Sequence, residues 1–181
     1  MFKPIMIAAT LLSGVLTAGL YALYVFSPAP WMLSLIITAG TFFYHFAMRL
    51  AVGYAWVPFQ KHDPHSVWFR EKAFEKKLYK QLNVKHWKEY MPTYDPSSFD
   101  VNAHSLDEIA VAMCHSELVH ETIVVLSFLP LLAAIPFGDF FVFFITSLLA
   151  AAFDLSFVIM QRYNRPRVLT LIKRQNKKHN R

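Results

Sequence analysis

Phe140-Phe-Val-Phe-Phe-Ile-Thr-Ser-Leu-Leu-Ala-Ala-Ala-Phe-Asp154-Leu-Ser-Phe-Val-Ile-Met-Gln161 carries a single charge, Asp154. A hydrocarbon core of about 30 Å is crossed by roughly 20 helical residues, so this run reads as a membrane span. Three more runs resemble it. Residues 5–26 carry no charge at all. That is longer than the roughly 7–15 residues of a signal-peptide core, so the run reads as a retained span. Residues 31–48 form the second run, whose helix is expected to continue along the interface to about Pro58. Residues 122–138 form the third; prolines 130 and 136 are tolerated there because membrane helices re-satisfy freed backbone groups. Pro28 and Pro30 break the chain between the first two runs, and Phe137-Gly138-Asp139 does so between the last two. Connections this short join antiparallel neighbours. The expected fold is therefore all-α, an integral membrane bundle of four transmembrane helices in two hairpins. Residues 60–116 lie between spans 2 and 3 as cytoplasmic amphipathic helices, and 162–181 form a basic tail.

Composition agrees. Hydrophobic residues make up 55% of the 181 and charged residues only 17%, below the roughly 25% of soluble domains. Disordered, collagen-like and disulfide-scaffold chains are excluded, the last because Cys114 is the one cysteine. The net charge of +6 is segregated by segment, which topology explains better than nucleic-acid binding. The two short turns hold no Lys or Arg, whereas residues 60–116 hold eight and residues 162–181 eight more. By the positive-inside rule both termini and the middle segment are cytoplasmic in a cell-membrane protein.

Within the middle segment, Val67–Trp87 reads as one or two amphipathic helices. Val67, Trp68, Phe74, Leu78, Tyr79 and Leu82 share one face, and Arg70, Lys72, Lys76, Lys77 and Lys80 the other, the pattern of a helix lying among headgroups. Glu71 and Glu75 point toward the apolar face, where a carboxylate is costly unless paired. Arg49 and the tail arginines are their candidate partners. Residues 92–102 read as a loop. Ser105 with Glu108 reads as a capping box opening the helix that enters the third span.

Ionisable groups at membrane depth default to functional roles, and here they cluster. His45 and Arg49 lie one turn apart near the cytoplasmic end of span 2. Glu117, His120 and Glu121 lie at the start of span 3. Asp154 lies about 12 Å along span 4 from Arg162. His45 is either a packing hydrogen bonder or a substrate contact. Glu121 and Asp154 either pair with Arg49 and Arg162 or face a substrate. Glu117-Leu-Val-His120 has the spacing of carboxylate-bridged metal sites, but those need a second such motif and the chain has one, so no metal is expected. Glu117 orienting His120 as an acid–base pair is the preferred reading. Cys114 lacks any nucleophile motif. Gln161-Arg-Tyr-Asn-Arg-Pro-Arg167 is either a stop-transfer cluster or an array of planar donors suited to phosphate. Pro166 is expected to stop the helix.

Three blocks make the sequence similar to the glycosyl-4,4'-diaponeurosporenoate acyltransferase family, which acts last in staphyloxanthin-type carotenoid synthesis. They are Phe74-Glu-Lys76 followed by Val84-Lys-His-Trp-Lys88, then Asp107-Glu-Ile109 followed by Glu117-Leu-Val-His120, then Gln161–Arg167. Order and spacing agree over about residues 68–173. Departures are Glu121, where the family pattern has an aromatic, and Cys114-His-Ser116, which replaces a more basic stretch. The resemblance implies a small membrane enzyme that moves a fatty acyl chain to a sugar hydroxyl of a lipid-linked glycoside.

Joined to the polar cluster, this gives a set of expected roles. His120, oriented by Glu117, is the base, and Arg162 or Asn164 stabilises the oxyanion. Arg165 and Arg167 hold donor phosphates; His45, Arg49, Glu75 and Asp154 complete the substrate site. No cofactor is expected, with acyl-CoA as co-substrate. The partners are membrane lipids, the acyl donor and a glycolipid acceptor, with no nucleic acid. The alternatives are a membrane reductase or methyltransferase using a phosphate-bearing cofactor at the same arginines, and a non-enzymatic assembly subunit.

Overall fold

The structure is a computed structural model that describes residues 2–92, 96–138 and 140–179. Residues 93–95 of the expected loop, Asp139 of the expected turn and residues 180–181 of the expected tail lie outside the described residues. The protein is 82% helical, with no strand among the described residues. Four helices are long and apolar enough to cross a membrane, which makes it a multi-pass membrane protein. Large apolar side chains on them, such as Leu11, Leu12, Val15 and Leu149, are exposed, as lipid-facing positions are.

Helices α1 (Phe2–Phe26) and α2 (Pro30–Trp56) form the first hairpin. Pro30 sits at the start of α2, where its missing N–H has no partner to lose. The two helices approach so closely that a Cβ on Gly14 would lie 3.0 Å from Phe43 Cε2, so no larger residue fits without displacing that ring. As expected, α2 continues past residue 48, and a 3-10 turn, Val57–Phe59, closes it.

The second hairpin pairs α5 (Leu106–Leu126) with α7 (Phe140–His179). The Ser105–Glu108 capping box opens α5 as the sequence implied. The helix does not run unbroken through the third apolar stretch. It becomes a 3-10 turn, Leu129–Ala133, and a short helix, α6 (Ala134–Phe137). Pro130 has no N–H to give the Leu126 carbonyl, and Tyr44 Oη donates to that carbonyl instead at 2.7 Å. Gly138, at φ +76°, makes the reversal.

The hairpins join where α2 meets α5. Met48, Val52 and Ile123 are buried there against Tyr44, Trp56, Val119 and Leu126. Trp56 Nε1 donates across the seam to Thr122 Oγ1 at 3.1 Å.

Two expectations are corrected. Pro166 does not stop the last helix: it lies inside α7, which runs on to His179. A proline removes one hydrogen bond, and this helix keeps its course across the loss. Its 40 residues span about 60 Å, twice the hydrocarbon thickness, so the basic end stands clear of the core. The middle segment is also less helical than its periodicity implied. Of the expected Val67–Trp87 helices, only α3 (Glu75–Gln81) and α4 (Val84–Trp87) form, and residues 61–74 make turns. The carbonyls of Trp68, Phe69 and Arg70 accept from arginines of α7. In a helix, those oxygens would be consumed by N–H groups four residues on. Accordingly Val67, Trp68 and Phe74 are exposed, whereas Phe69, Tyr79 and Val84 are buried.

Candidate active site at one end of the bundle

α2, α5 and α7 bring their polar residues together at the end of the bundle away from the two short turns. The constellation has two parts, each organised by a carboxylate withdrawn from solvent.

The first is centred on Asp154, 1% exposed on α7. Arg49 of α2 donates to its Oδ2. The same guanidinium reaches the carbonyls of His45, at 2.8 Å, and Ala150, at 3.3 Å. On the other side His120 Nδ1 lies 2.9 Å from Asp154 Oδ1. An ionised carboxylate only accepts, so Nδ1 is the donor of this pair, and in the neutral imidazole the lone pair then lies on Nε2. Phe157 stacks on the imidazole with centroids 4.5 Å apart and planes 6° apart, which fixes the ring. Nε2 has no hydrogen-bond partner among the described residues, and the His120 side chain stays 20% exposed. A histidine held through one nitrogen by a carboxylate, with the other nitrogen unbonded among the described residues, has the geometry that can take a proton from a hydroxyl.

The second part is centred on Glu117, fully buried on α5. It does not orient His120. Arg162 donates to its Oε1 and Arg165 to its Oε2. Arg162 also binds Glu75 Oε1, through Nε at 2.9 Å and Nη2 at 2.6 Å, and the carbonyls of Trp68 and Arg70. All five guanidinium N–H groups are thereby used, so Arg162 has none left for an oxyanion. Tyr79 Oη donates to Glu75 Oε2 at 2.8 Å. Burial and that bond raise the Tyr79 phenol above its ordinary range, so it remains a donor. Two carboxylates meet two guanidiniums, and the cluster is neutral as a whole. It clamps the turn of residues 68–70 and helix α3 onto α7.

The other expected residues separate. Arg165 is 1% exposed, donates to the Phe69 carbonyl at 2.6 Å and lies over the Phe69 ring, so its charge is spent inside the protein. It is not a free phosphate ligand. Asn164 Oδ1 accepts from Lys88 Nζ at 2.9 Å. Ten residues beyond Asp154 on one helix, Asn164 is about 15 Å from the His120 pair along the axis, too far to serve an oxyanion there. Arg167 is exposed, stacks over Tyr163 at 3.6 Å, and remains open to solutes. His45 is buried, and neither ring nitrogen has a partner among the described residues. Glu121 accepts from Trp68 Nε1 at 3.1 Å rather than from an arginine. Glu71 is 3.6 Å from Lys76. No group of three or more metal-ligating side chains occurs among the described residues.

Sequence reasoning missed Asp154 as the partner of His120, read Tyr79 as an apolar-face residue rather than the donor to Glu75, and missed the carbonyls of 68–70 altogether. A signal for the first existed. His120 lies 18 residues before Gly138 and Asp154 16 after it, so folding the hairpin at that glycine brings them nearly level.

The glycosyl-4,4'-diaponeurosporenoate acyltransferase family matches residues 64–174, more than half of the chain. The chain belongs to that family. Membership makes it an acyltransferase-family protein, as the three sequence blocks implied. No curated protein and no solved structure matches the chain. Against the geometry, the family region takes in His120, Asp154 and the whole Glu75–Glu117–Arg162–Arg165 cluster. Only Arg49 and His45 of the constellation come from the first hairpin, outside that region.

Proposed function

We propose that this protein transfers a fatty acyl chain from an activated donor, acyl-CoA, to a sugar hydroxyl of a lipid-linked glycoside such as a glycosylated carotenoid. The observation that carries the reading is the His120–Asp154 pair, with Nε2 unbonded among the described residues, at one end of an acyltransferase-family bundle. His120 Nε2 removes the hydroxyl proton as the oxygen attacks the thioester carbonyl. The tetrahedral intermediate collapses, the C–S bond breaks, and the proton passes from Nε2 to the departing thiolate. Ester and free thiol are the products. Asp154 holds the imidazole in the required tautomer and stabilises the imidazolium formed on the way. Arg49 holds the other carboxylate oxygen of Asp154.

The arrangement of charge favours a donor with its phosphates far from its carbonyl. Exposed Arg167 stands 13 residues past Asp154 on α7, about 20 Å along the axis. Lys173, Arg174, Lys177 and Lys178 follow on the same exposed end. In CoA a long pantetheine arm separates thioester from phosphates, and the basic end of α7 suits the far terminus. Membrane lipids surround the remaining surface; nucleic acid has no part.

The direct test is to incubate purified protein with radiolabelled palmitoyl-CoA and a glucosylated long-chain lipid. Labelled ester and stoichiometric free thiol are expected; thiol release without ester in the presence of acceptor would contradict the reading. The charge bias also orients the protein with both termini and the 60–116 segment in the cytoplasm. Single cysteines at Ser27 and at Gln175, in a Cys114→Ser background, should label from opposite sides of the membrane. Labelling from one side would overturn this orientation.

A further inference from the structure

A cavity of about 350 Å³ lies between the two hairpins, a size at the lower end for ligand sites. Its walls include Thr17 of α1, Ile37, Gly40 and Tyr44 of α2, Pro130 of the 3-10 turn, and Phe143 of α7. It exists because α5 ends at Leu126 and the narrower 3-10 turn leaves the space a full helix would fill.

The polar groups on its walls are already bound. Thr17 Oγ1 donates to the Ser13 carbonyl at 2.7 Å, Thr41 Oγ1 to the Ile37 carbonyl at 2.8 Å, and Tyr44 Oη to the Leu126 carbonyl at 2.7 Å. The cavity therefore offers a guest only hydrocarbon contact. It lies between the polar site and the hairpin turns. Tyr44 closes its inner end, and Arg49, which holds Asp154, lies about 8 Å further along the same helix. Its opposite end lies near the hairpin turns, by Ile36 and Phe137.

We infer that this cavity seats the acyl chain of the donor and sets which chain lengths are transferred. The inference rests on the acyl-transfer reading for the identity of the guest. An acyl chain is bonded directly to the reacting carbonyl, so a chain starting at His120 has only about 9 Å, six residues of α5, to cover before the Tyr44–Leu126 end of the cavity. The acceptor's hydrocarbon is separated from its hydroxyl by a whole sugar, which needs polar partners that these walls do not provide. From Ile36 to Tyr44 the cavity runs about 12 Å along α2, a finite length that a long chain fills and a short one does not.

Gly40 is the position from which to shorten it. A Cβ there meets only Thr17 Cγ2, at 3.7 Å, so Gly40→Ala fits, whereas Gly40→Leu reaches into the cavity. Transfer from octanoyl, lauroyl and palmitoyl thioesters to one glucosylated lipid should show the palmitoyl-to-octanoyl ratio falling about tenfold in Gly40→Leu, the loss of roughly two buried methylenes. It should hold in Gly40→Ala and rise in Ile37→Ala. A second measurement needs no turnover: palmitic acid with a terminal diazirine, photolysed on the wild-type protein, should cross-link to Ile36, Ile37 or Phe137. Cross-links there without transfer from any thioester would remove the acyl-transfer reading and keep a hydrocarbon site. Cross-links spread over the outer faces of α1 and α7, an unchanged chain-length profile, or a profile that instead tracks the acceptor's hydrocarbon would each overturn the inference.

Discussion

His120→Ala lowers acyl transfer by about 10²–10⁴-fold, the contribution of a positioned general base. The fall is expected in kcat with little change in the donor KM, because Nε2 acts on the acceptor proton and binds neither phosphate nor chain. Asp154→Asn should fall into the same range for a different reason. A carboxamide can offer its N–H₂ to Nδ1, which places the imidazole proton on Nε2 and blocks it as a base. The two variants differ in stability. His120 is partly exposed, and its loss leaves the Arg49–Asp154 pair intact. Asp154→Asn leaves the largely buried Arg49 without a counter-charge and should also lower the unfolding temperature. Wild-type turnover in folded His120→Ala would end the assignment of this histidine as the base.

Glu117→Ala unfolds the protein more readily than any change on the exposed basic end. It removes a fully buried carboxylate that answers two guanidiniums, one of them 1% exposed. Breaking such a pair from one side costs about 3–5 kcal/mol, since a charge is stranded away from water. On the order of 10 °C in unfolding temperature is the expected consequence, followed by tryptophan fluorescence in detergent. Arg165→Lys keeps the charge but loses the fork that reaches Glu117 and the Phe69 carbonyl together. It should be destabilised by about 1.5–3 kcal/mol without a selective rise in donor KM. Arg167→Ala, at an exposed position, should leave stability nearly unchanged and raise the donor KM. A Glu117→Ala protein as stable as wild type would show that the cluster does not hold the turn of 68–70 to α7.

The number of spans and their pairing into hairpins, the Ser105 cap and the presence of an ionisable cluster at one end were legible in the sequence. Each depends on something local and one-dimensional. A charge-free run of about 20 residues has one low-energy place in a bilayer, and a capping box is closed within four residues. Hairpins forced by two short turns gather His45, Arg49, Glu117, His120, Asp154 and Arg162 at one end, whatever their detailed packing. The family motif at Gln161–Arg167 was legible too, as a pattern of residue types.

Which acid serves which base was decided by the tertiary structure. Glu117 and His120 share a helix face, and that spacing alone favoured them as a pair. The rotation of α5 against α7 instead turns Glu117 to Arg162 and Arg165, and turns His120 to Asp154. The same packing unwound residues 67–74 despite their helical period, because two arginines from almost a hundred residues away needed backbone carbonyls. A buried guanidinium without acceptors costs more than a few turns of short interfacial helix. Periodicity reports how a segment folds alone, but the partners of a buried charge depend on the register between helices, which only the assembled seam of α2, α5 and α7 sets.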